Sequence, residues 1–163
     1  MLVKNELSEG YISGLIGRVA ELHATYYSEN WGFGMTFEAK VASDFSQFME
    51  DYNQQTDFTL SVLVDGIIEA SISINGVVNN VAHLRWFVVS EKLRGNGVGN
   101  TLIQKAIKFC ECTKFQGIYL WTFEGLVSAR HLYEKYGFNL IEEKQGNQWG
   151  SFVTEQKFFK PLI

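Results

Sequence analysis

The chain of 163 residues is poor in proline and cysteine and contains no repeat or low-complexity tract. Its one proline is Pro161, and no linker-like composition interrupts it, so a single domain over residues 1–163 is predicted. The two cysteines, Cys110 and Cys112, are two positions apart at the end of a predicted helix, where their side chains do not share a face. Neither a disulfide nor a metal site is therefore expected.

The chain also lacks an excess of positive charge and any long apolar run. Its formal net charge is −4, and its lysines and arginines are scattered. Nucleic acid is not an expected partner, because proteins that bind it concentrate basic residues on one surface. The N-terminal residues do not have the pattern of a signal peptide, and no segment approaches the ~20 apolar residues that cross a bilayer. A cytoplasmic protein without a membrane partner is expected.

What the sequence does contain is enough apolar material for one packed core, with 46% hydrophobic and 15% aromatic residues. The strand, helix, strand order between residues 84 and 123 predicts a right-handed parallel crossover, and the full order predicts a mixed sheet with helices on both faces. Periodicity predicts helices at 7–27, 37–52, from 98 onward and at 126–136, and strands at 58–64, 67–74, 84–89 and 118–123. Two terminal strands joined around Gly146-Asn147 follow, and a short strand at 2–5 is left open.

A glycine-rich segment, Arg94-Gly95-Asn96-Gly97-Val98-Gly99, joins a predicted strand to a predicted helix. Glycines at a helix start let backbone N–H groups approach a phosphate, and the helix dipole adds positive charge there. The segment is not a nucleotide P-loop, because asparagine and threonine follow Gly99 instead of lysine and serine or threonine. It is not a dinucleotide fingerprint either, because the sixth position is Asn100. By itself it fits an anion site and a simple tight turn equally well.

A second motif, Leu132-Tyr133-Glu134-Lys135 followed by Tyr-Gly-Phe, lies in the helix predicted at 126–136. Together with Arg94-x-x-Gly97-x-Gly99, in this order and at this separation, it resembles the GNAT superfamily of N-acetyltransferases. Trp31-Gly32-Phe33-Gly34, Leu84-Arg85-Trp86-Phe87 and Trp121-Thr122-Phe123 look closest to the acetyltransferase domain fused to MarR-type regulators. The resemblance implies an α/β fold with a mixed, mostly antiparallel central sheet, a parallel strand-helix-strand crossover, and helices on both faces.

The resemblance also implies an activity, the direct transfer of an acetyl group from acetyl-CoA to a primary amine on a small molecule or peptide, without a metal. Tyr133 would be the general acid that protonates the departing sulfur, since a phenol is neutral at pH 7. The pantetheine arm would pair with one strand, and the pyrophosphate would bind the glycine loop. The implied cofactor-binding residues are Phe87, Val88, Val89, Arg94, Gly95, Asn96, Gly97, Val98, Gly99 and Asn100. A homodimer is left open.

Several roles stay open in the sequence. By periodicity alone Tyr133 reads as a core residue. Many family members carry asparagine seven residues before this tyrosine, but the residue here is Leu126, and Ser128 or Arg130 would have to substitute. A non-catalytic acyl-CoA-binding sensor would keep the same loop. The net negative charge favours a cationic acceptor.

The general base is open among Glu38, Glu69, His83 and Glu124, and ordered water could replace a dedicated base. Strand parity predicts that His83 shares a face with Arg85, Phe87 and Val89. Glu69 is expected to face water. The rings of Trp31, Phe33, Trp86 and Trp121 are candidates for the acceptor pocket or for the core.

Overall fold

A computed structural model describes residues 5–76 and 78–162 of the chain. Within these residues one sheet of seven strands is flanked by four α-helices. The strands are β1 (Asn5–Glu9), β2 (Phe58–Val64), β3 (Ile67–Gly76), β4 (Val81–Val89), β5 (Gly117–Phe123), β6 (Asn139–Gly146) and β7 (Val153–Pro161). The helices are α1 (Leu15–Trp31), α2 (Met35–Glu50), α3 (Val98–Thr113) and α4 (Val127–Lys135).

The sheet has the mixed, mostly antiparallel topology that the sequence predicts. Its strand order is β1-β2-β3-β4-β5-β7-β6, and every neighbouring pair is antiparallel except β4 and β5, which α3 connects. Each face of the sheet has its own hydrophobic cluster. Buried residues of α3 and α4 pack on one face, and buried residues of α1 and α2 pack on the other. The predicted fold class is confirmed.

The start of the first helix is wrong in the sequence prediction. Residues 7–9 belong to β1, which pairs with β2, and α1 begins only at Leu15. Gly10 and Gly14 both have positive φ, at 81° and 90°. A right-handed helix does not continue through such a conformation, so α1 does not extend back to β1. Of the strand left open at 2–5, residues 2–4 lie outside the described residues, and β1 starts at Asn5.

A β-bulge in β4 changes which side chains share a face. Arg85 pairs with Ser73 and Val88 with Ser71, so two residues of β4 stand opposite one of β3, and Trp86 has φ 49°. Phe87 and Val89 consequently pack on the α3 side of the sheet, whereas Arg85 reaches Asp44 on α2. The predicted shared face is therefore wrong, because strand parity holds only in a strand without a bulge.

The two parallel strands separate soon after they begin. Pairing between β4 and β5 is limited to Val81, Ala82 and His83 with Gly117, Ile118 and Tyr119. Beyond this point the edge of β4 faces β5 across a gap instead of along a hydrogen-bonded ladder. This gap positions the candidate site.

Candidate active site

A cavity of about 410 Å³ occupies the gap between β4 and β5 and is walled by residues of α1, α2 and α4. Six of the sequence-predicted site residues line it: Phe87, Val88, Val89, Arg94, Gly99 and Tyr133. The remaining predicted residues form the adjoining turn and the first turn of α3. The structure therefore brings the two sequence motifs together around one space.

The glycine loop has two kinds of glycine. Gly95 and Gly97 have φ of 79° and 75°, and a Cβ at either would meet no atom within 4 Å, so backbone conformation and not space requires glycine there. Gly99 is helical, and a Cβ there would lie 3.5 Å from Leu132 Cδ2 and 3.6 Å from Phe87 Cζ. The absence of a side chain at Gly99 thus leaves room beside the cavity wall.

The first turn of α3 supplies donors for an anion. Helix geometry leaves the N–H groups of Val98, Gly99 and Asn100 without an intrahelical acceptor. The Asn100 side chain is engaged differently, because its Oδ1 accepts hydrogen bonds from Lys135 Nζ at 2.7 Å and the Tyr136 hydroxyl at 2.8 Å. The Asn100 amide oxygen therefore ties α3 to the C-terminal end of α4, and its backbone N–H remains available to a ligand.

Arg94 lies where β4 leads into the loop. Its Nε donates to the carbonyl oxygen of Val89 at 3.2 Å, and its guanidinium carbon lies 4.5 Å from the centre of the Tyr26 ring. The side chain is exposed. Arg94 therefore places a permanent cation next to the free backbone donors of the loop, as a phosphate site requires.

Tyr133 is 8% exposed and packs among aromatic rings. Its ring centre is 6.4 Å from that of Phe87 and 6.0 Å from that of Phe138. Burial raises the pKa of Tyr133 well above its usual value, so the phenol keeps its proton at neutral pH. Among the hydrogen bonds of the described residues, none involves its hydroxyl. Tyr133 is thus a neutral donor with an unengaged hydroxyl in the cavity wall.

The opposite end of the cavity carries charged residues that the sequence analysis did not single out. Lys40 Nζ lies 3.0 Å and Arg85 Nη2 lies 3.5 Å from the same oxygen, Asp44 Oδ2. The Lys40–Asp44 spacing of four residues is visible in the sequence, but the placement of α2 against β4 is not. The Trp121 and Trp149 rings also line the cavity.

His83 stacks on Tyr119 with ring centres 4.2 Å apart and lines the cavity at this charged end. Burial lowers the pKa of His83 to about 3, and the nearby Arg85 and Lys157 cations lower it in the same direction. The imidazole is therefore neutral at pH 7 and a weak base.

The other three candidate bases do not line the cavity. Glu38 and Glu124 are exposed. Glu69 was predicted to face water but is only 2% exposed. The register of β3 shifts beside Glu69, and its carboxylate lies 3.2 Å from Arg18 and 3.1 Å from Lys92. That expectation is wrong.

Leu126 stands where many family members carry asparagine, and the two residues predicted to substitute for that asparagine differ in their position relative to the cavity. Leu126 and Ser128 both line the cavity, whereas Arg130 is not part of the lining and pairs with Glu134 at 2.8 Å. Ser128 is thus the better placed of the two predicted substitutes. Trp31 and Phe33 are not in the lining and instead pack on Phe123.

Residues 5–76 and 78–162 contain neither a helix suited to a bilayer nor a cluster of metal ligands. No helix there is long and apolar enough to cross a membrane. In the same residues, no three His, Cys, Asp or Glu side chains are grouped so that they could hold a metal ion.

Comparison with known proteins gives matches at the levels of sequence family and fold. Residues 16–138 match the acetyltransferase (GNAT) family. Streptothricin acetyltransferase from Escherichia coli is 32% identical over 91 residues, which are 56% of this chain and 52% of that protein. The chain therefore matches about half the length of this curated relative.

Solved structures share the fold at low sequence identity. A GNAT-family acetyltransferase from Staphylococcus aureus superposes with a TM-score of 0.80 at 18% identity, over 98% of this chain and 100% of that chain. The protein yncA from Salmonella typhimurium, solved with its cofactor acetyl-CoA, superposes with a TM-score of 0.75 at 11% identity, over 97% and 95% of the two chains.

Proposed function

Since the chain belongs to the acetyltransferase (GNAT) family, we propose that it transfers the acetyl group of acetyl-CoA directly to a primary amine on a small molecule or peptide. The observation that carries this proposal is one cavity with a phosphate-type loop at one end and an unengaged phenol in its wall. A cytoplasmic location is part of the proposal, because acetyl-CoA would be the donor.

The residues around the cavity fit acetyl-CoA. The N–H groups of residues 98–100 and the Arg94 guanidinium would hold its pyrophosphate. The edge of β4 at Phe87, Val88 and Val89 is not paired with β5, and an extended amide chain can add to such an edge as a further strand. When bound, acetyl-CoA supplies the thioester from which the acetyl group leaves.

The reaction requires two proton transfers, one to the leaving sulfur and one from the attacking amine. Tyr133 donates a proton at the sulfur as the carbon–sulfur bond breaks, and a positioned general acid of this kind contributes roughly 10²–10⁴-fold to rate. The attacking amine must lose a proton, and neutral His83 is too weak a base to take it efficiently. Ordered water is therefore the proposed carrier of the amine proton.

A second candidate function is a non-catalytic acyl-CoA-binding sensor, which the likeness to MarR-fused domains suggests. The observation that favours it is the lack of an available base among the described lining residues. Asp44 is engaged by Lys40 and Arg85. The two lining histidines, His23 and His83, are weakly basic because burial lowers their pKa values to about 4 and about 3. Cofactor binding is common to both functions, so only turnover separates them.

The deciding experiment combines calorimetric titration with acetyl-CoA and a screen of primary amines, amino acids and peptides, with released thiol as the readout. We expect saturable binding and thiol release that depends on an added amine. Binding without release by any acceptor would support the sensor. Absence of binding would contradict both functions.

A further inference from the structure

The end of the cavity between α2 and β4 has two cations and one anion among its described lining residues. Lys40 and Arg85 both contact Asp44 Oδ2, so a single carboxylate is shared between them. The other lining cation, Arg94, belongs to the loop at the opposite end. The local charge at this end is therefore positive, although the net charge of the chain is −4.

The Arg85 guanidinium is poorly compensated. Its side chain is 27% exposed and lies over the Trp86 ring, 4.0 Å from its centre, and its contact with Asp44 is long at 3.5 Å. Its Nε and Nη1 donate to no described residue. Burial lowers the pKa of Arg85, and the Asp44 carboxylate offsets this only in part. A second anion would complete its pairing.

The nearby charges do not supply that anion. Lys157 adds a further cation, 4.8 Å from the centre of the Tyr119 ring, and its cross-strand neighbour Glu142 is exposed. Arg85 also lines a second groove, together with Asp44, Asp51 and Asp57. In that groove Asp51 accepts a hydrogen bond from Gln47 Nε2.

The other acid of that groove, Asp57, is also engaged. It accepts hydrogen bonds from the backbone N–H groups of Asn53 and Gly76. Asp51 and Asp57 keep their negative charge, because their hydrogen-bond donors are neutral, but among the described residues only Asp44 forms an ion pair with Arg85.

We propose that Arg85, assisted by Lys40, binds a carboxylate on the acceptor, and that the preferred acceptors are α-amino acids. This inference rests on the proposed acetyl transfer. Arg85 lines the same cavity as the unpaired β4 edge at Phe87, Val88 and Val89, so a carboxylate at Arg85 leaves an adjacent amine in the space beside the proposed pantetheine path. The planar guanidinium offers two parallel donors to a carboxylate, which an ammonium cannot. The Trp121 and Trp149 rings favour apolar side chains on the acceptor.

The test uses matched sets of an apolar α-amino acid, its amide and its decarboxylated amine, with kcat/KM measured by thiol release. We expect the acid to exceed both the amide and the amine by tenfold or more. Arg85→Gln should bring this ratio to about one and leave acetyl-CoA affinity unchanged. Arg85→Lys should retain part of the preference, because it keeps the charge and loses the planar fork.

Further variants separate the inference from folding and from the proposed activity. Lys40→Gln should lower the preference for the acid over the amide several-fold, because one of the two cations is lost. The substitution should not disturb the core, since Lys40 is partly exposed. Lys108→Gln, exposed on α3, is the matched control and should change nothing. Equal turnover of acid and amide, or an unchanged ratio in Arg85→Gln, would overturn the inference while upholding acetyl transfer.

If none of these compounds is acetylated, calorimetric titration of the CoA complex with the same compounds tests the carboxylate site directly. Binding of the acid and not of its amide would support the carboxylate site at Arg85 even if the protein catalyses no acetyl transfer. Equal binding of both compounds, or no binding of either, would reject this site.

Discussion

At the scale of single residues, the Tyr133 hydroxyl can be removed without disturbing its packing. The ring contacts Phe87, Phe138 and Phe158, and Tyr133→Phe keeps these contacts. We expect kcat to fall by about two orders of magnitude because the leaving sulfur loses its proton donor. The KM for acetyl-CoA should change little. Steady-state thiol release measures both constants.

A second phenol provides the comparison for this variant. Tyr27 also lines the cavity, and burial raises its pKa well above the usual value, so it too is neutral at pH 7. Tyr27→Phe should lower kcat less than tenfold. If Tyr27→Phe is the more damaging substitution, Tyr133 is not the acid.

Glu69 is a residue whose contribution to stability depends on pH. Burial alone would raise the pKa of Glu69, but the Ser90 hydroxyl and the Lys92 and Arg18 cations outweigh burial and hold it below its ordinary value. A carboxyl with a lowered folded-state pKa stabilises fully above its unfolded pKa and loses that effect as the pH falls through the folded value.

We therefore expect Glu69→Gln to lower the free energy of unfolding by about 2 kcal/mol at pH 7. The difference from the parent protein should shrink at pH values below the ordinary glutamate range. Urea unfolding across this pH series measures it. Glu21→Gln removes an exposed partner of Arg18 at 3.0 Å and should cost less than about 0.5 kcal/mol. An equal loss in both variants would contradict the buried role of Glu69.

The sequence revealed some site residues and not others for a physical reason. Arg94 and Tyr133 lie in local motifs whose spacing can be read along the chain. Arg85, Lys40 and Asp44 come together only through the packing of α2 on β4, which no local pattern encodes.

At the scale of elements, the loop into α3 separates two roles of glycine. Gly97 has φ 75°, and Gly97→Ala should cost about 1 kcal/mol because an L side chain disfavours this conformation. Gly99 is helical, so Gly99→Ala should leave stability unchanged or slightly raised. Its methyl group would nevertheless narrow the space near Phe87 and weaken acetyl-CoA binding roughly tenfold.

Thermal unfolding and calorimetric titration of the two loop variants measure these effects. Unchanged acetyl-CoA affinity in Gly99→Ala would show that the cofactor does not pass this residue. The exposed Gly17 in α1 provides a matched helical control, since a Cβ there meets no atom within 4 Å.

The elements themselves were mostly predictable, and the irregularities within them were not. The strands predicted at 58–64 and 67–74 and the helices α2, α3 and α4 follow from the spacing of apolar residues. The bulges near Glu69 and Trp86 depend on how neighbouring strands pair, so simple alternation gave the wrong face for His83 relative to Phe87.

At the scale of the whole molecule, we expect one cooperative unfolding transition, as the single predicted domain implies. Acetyl-CoA at about 100 times its Kd should add about 2.7 kcal/mol to the free energy of unfolding, and hence raise Tm by roughly 5–10 °C. Differential scanning calorimetry with and without the ligand measures both. Two separated transitions would contradict the single domain.

The bulge in β4 has a consequence for how such a protein can evolve. It divides one strand between two surfaces, so that Arg85 faces α2 while Phe87 and Val89 face the α3 side. A mutation that alters the choice of acceptor can therefore arise at position 85, or at Lys40 and Asp44 opposite it, without touching the residues proposed to hold the donor. Selection could change the specificity for the acceptor while the binding site of the donor is inherited intact.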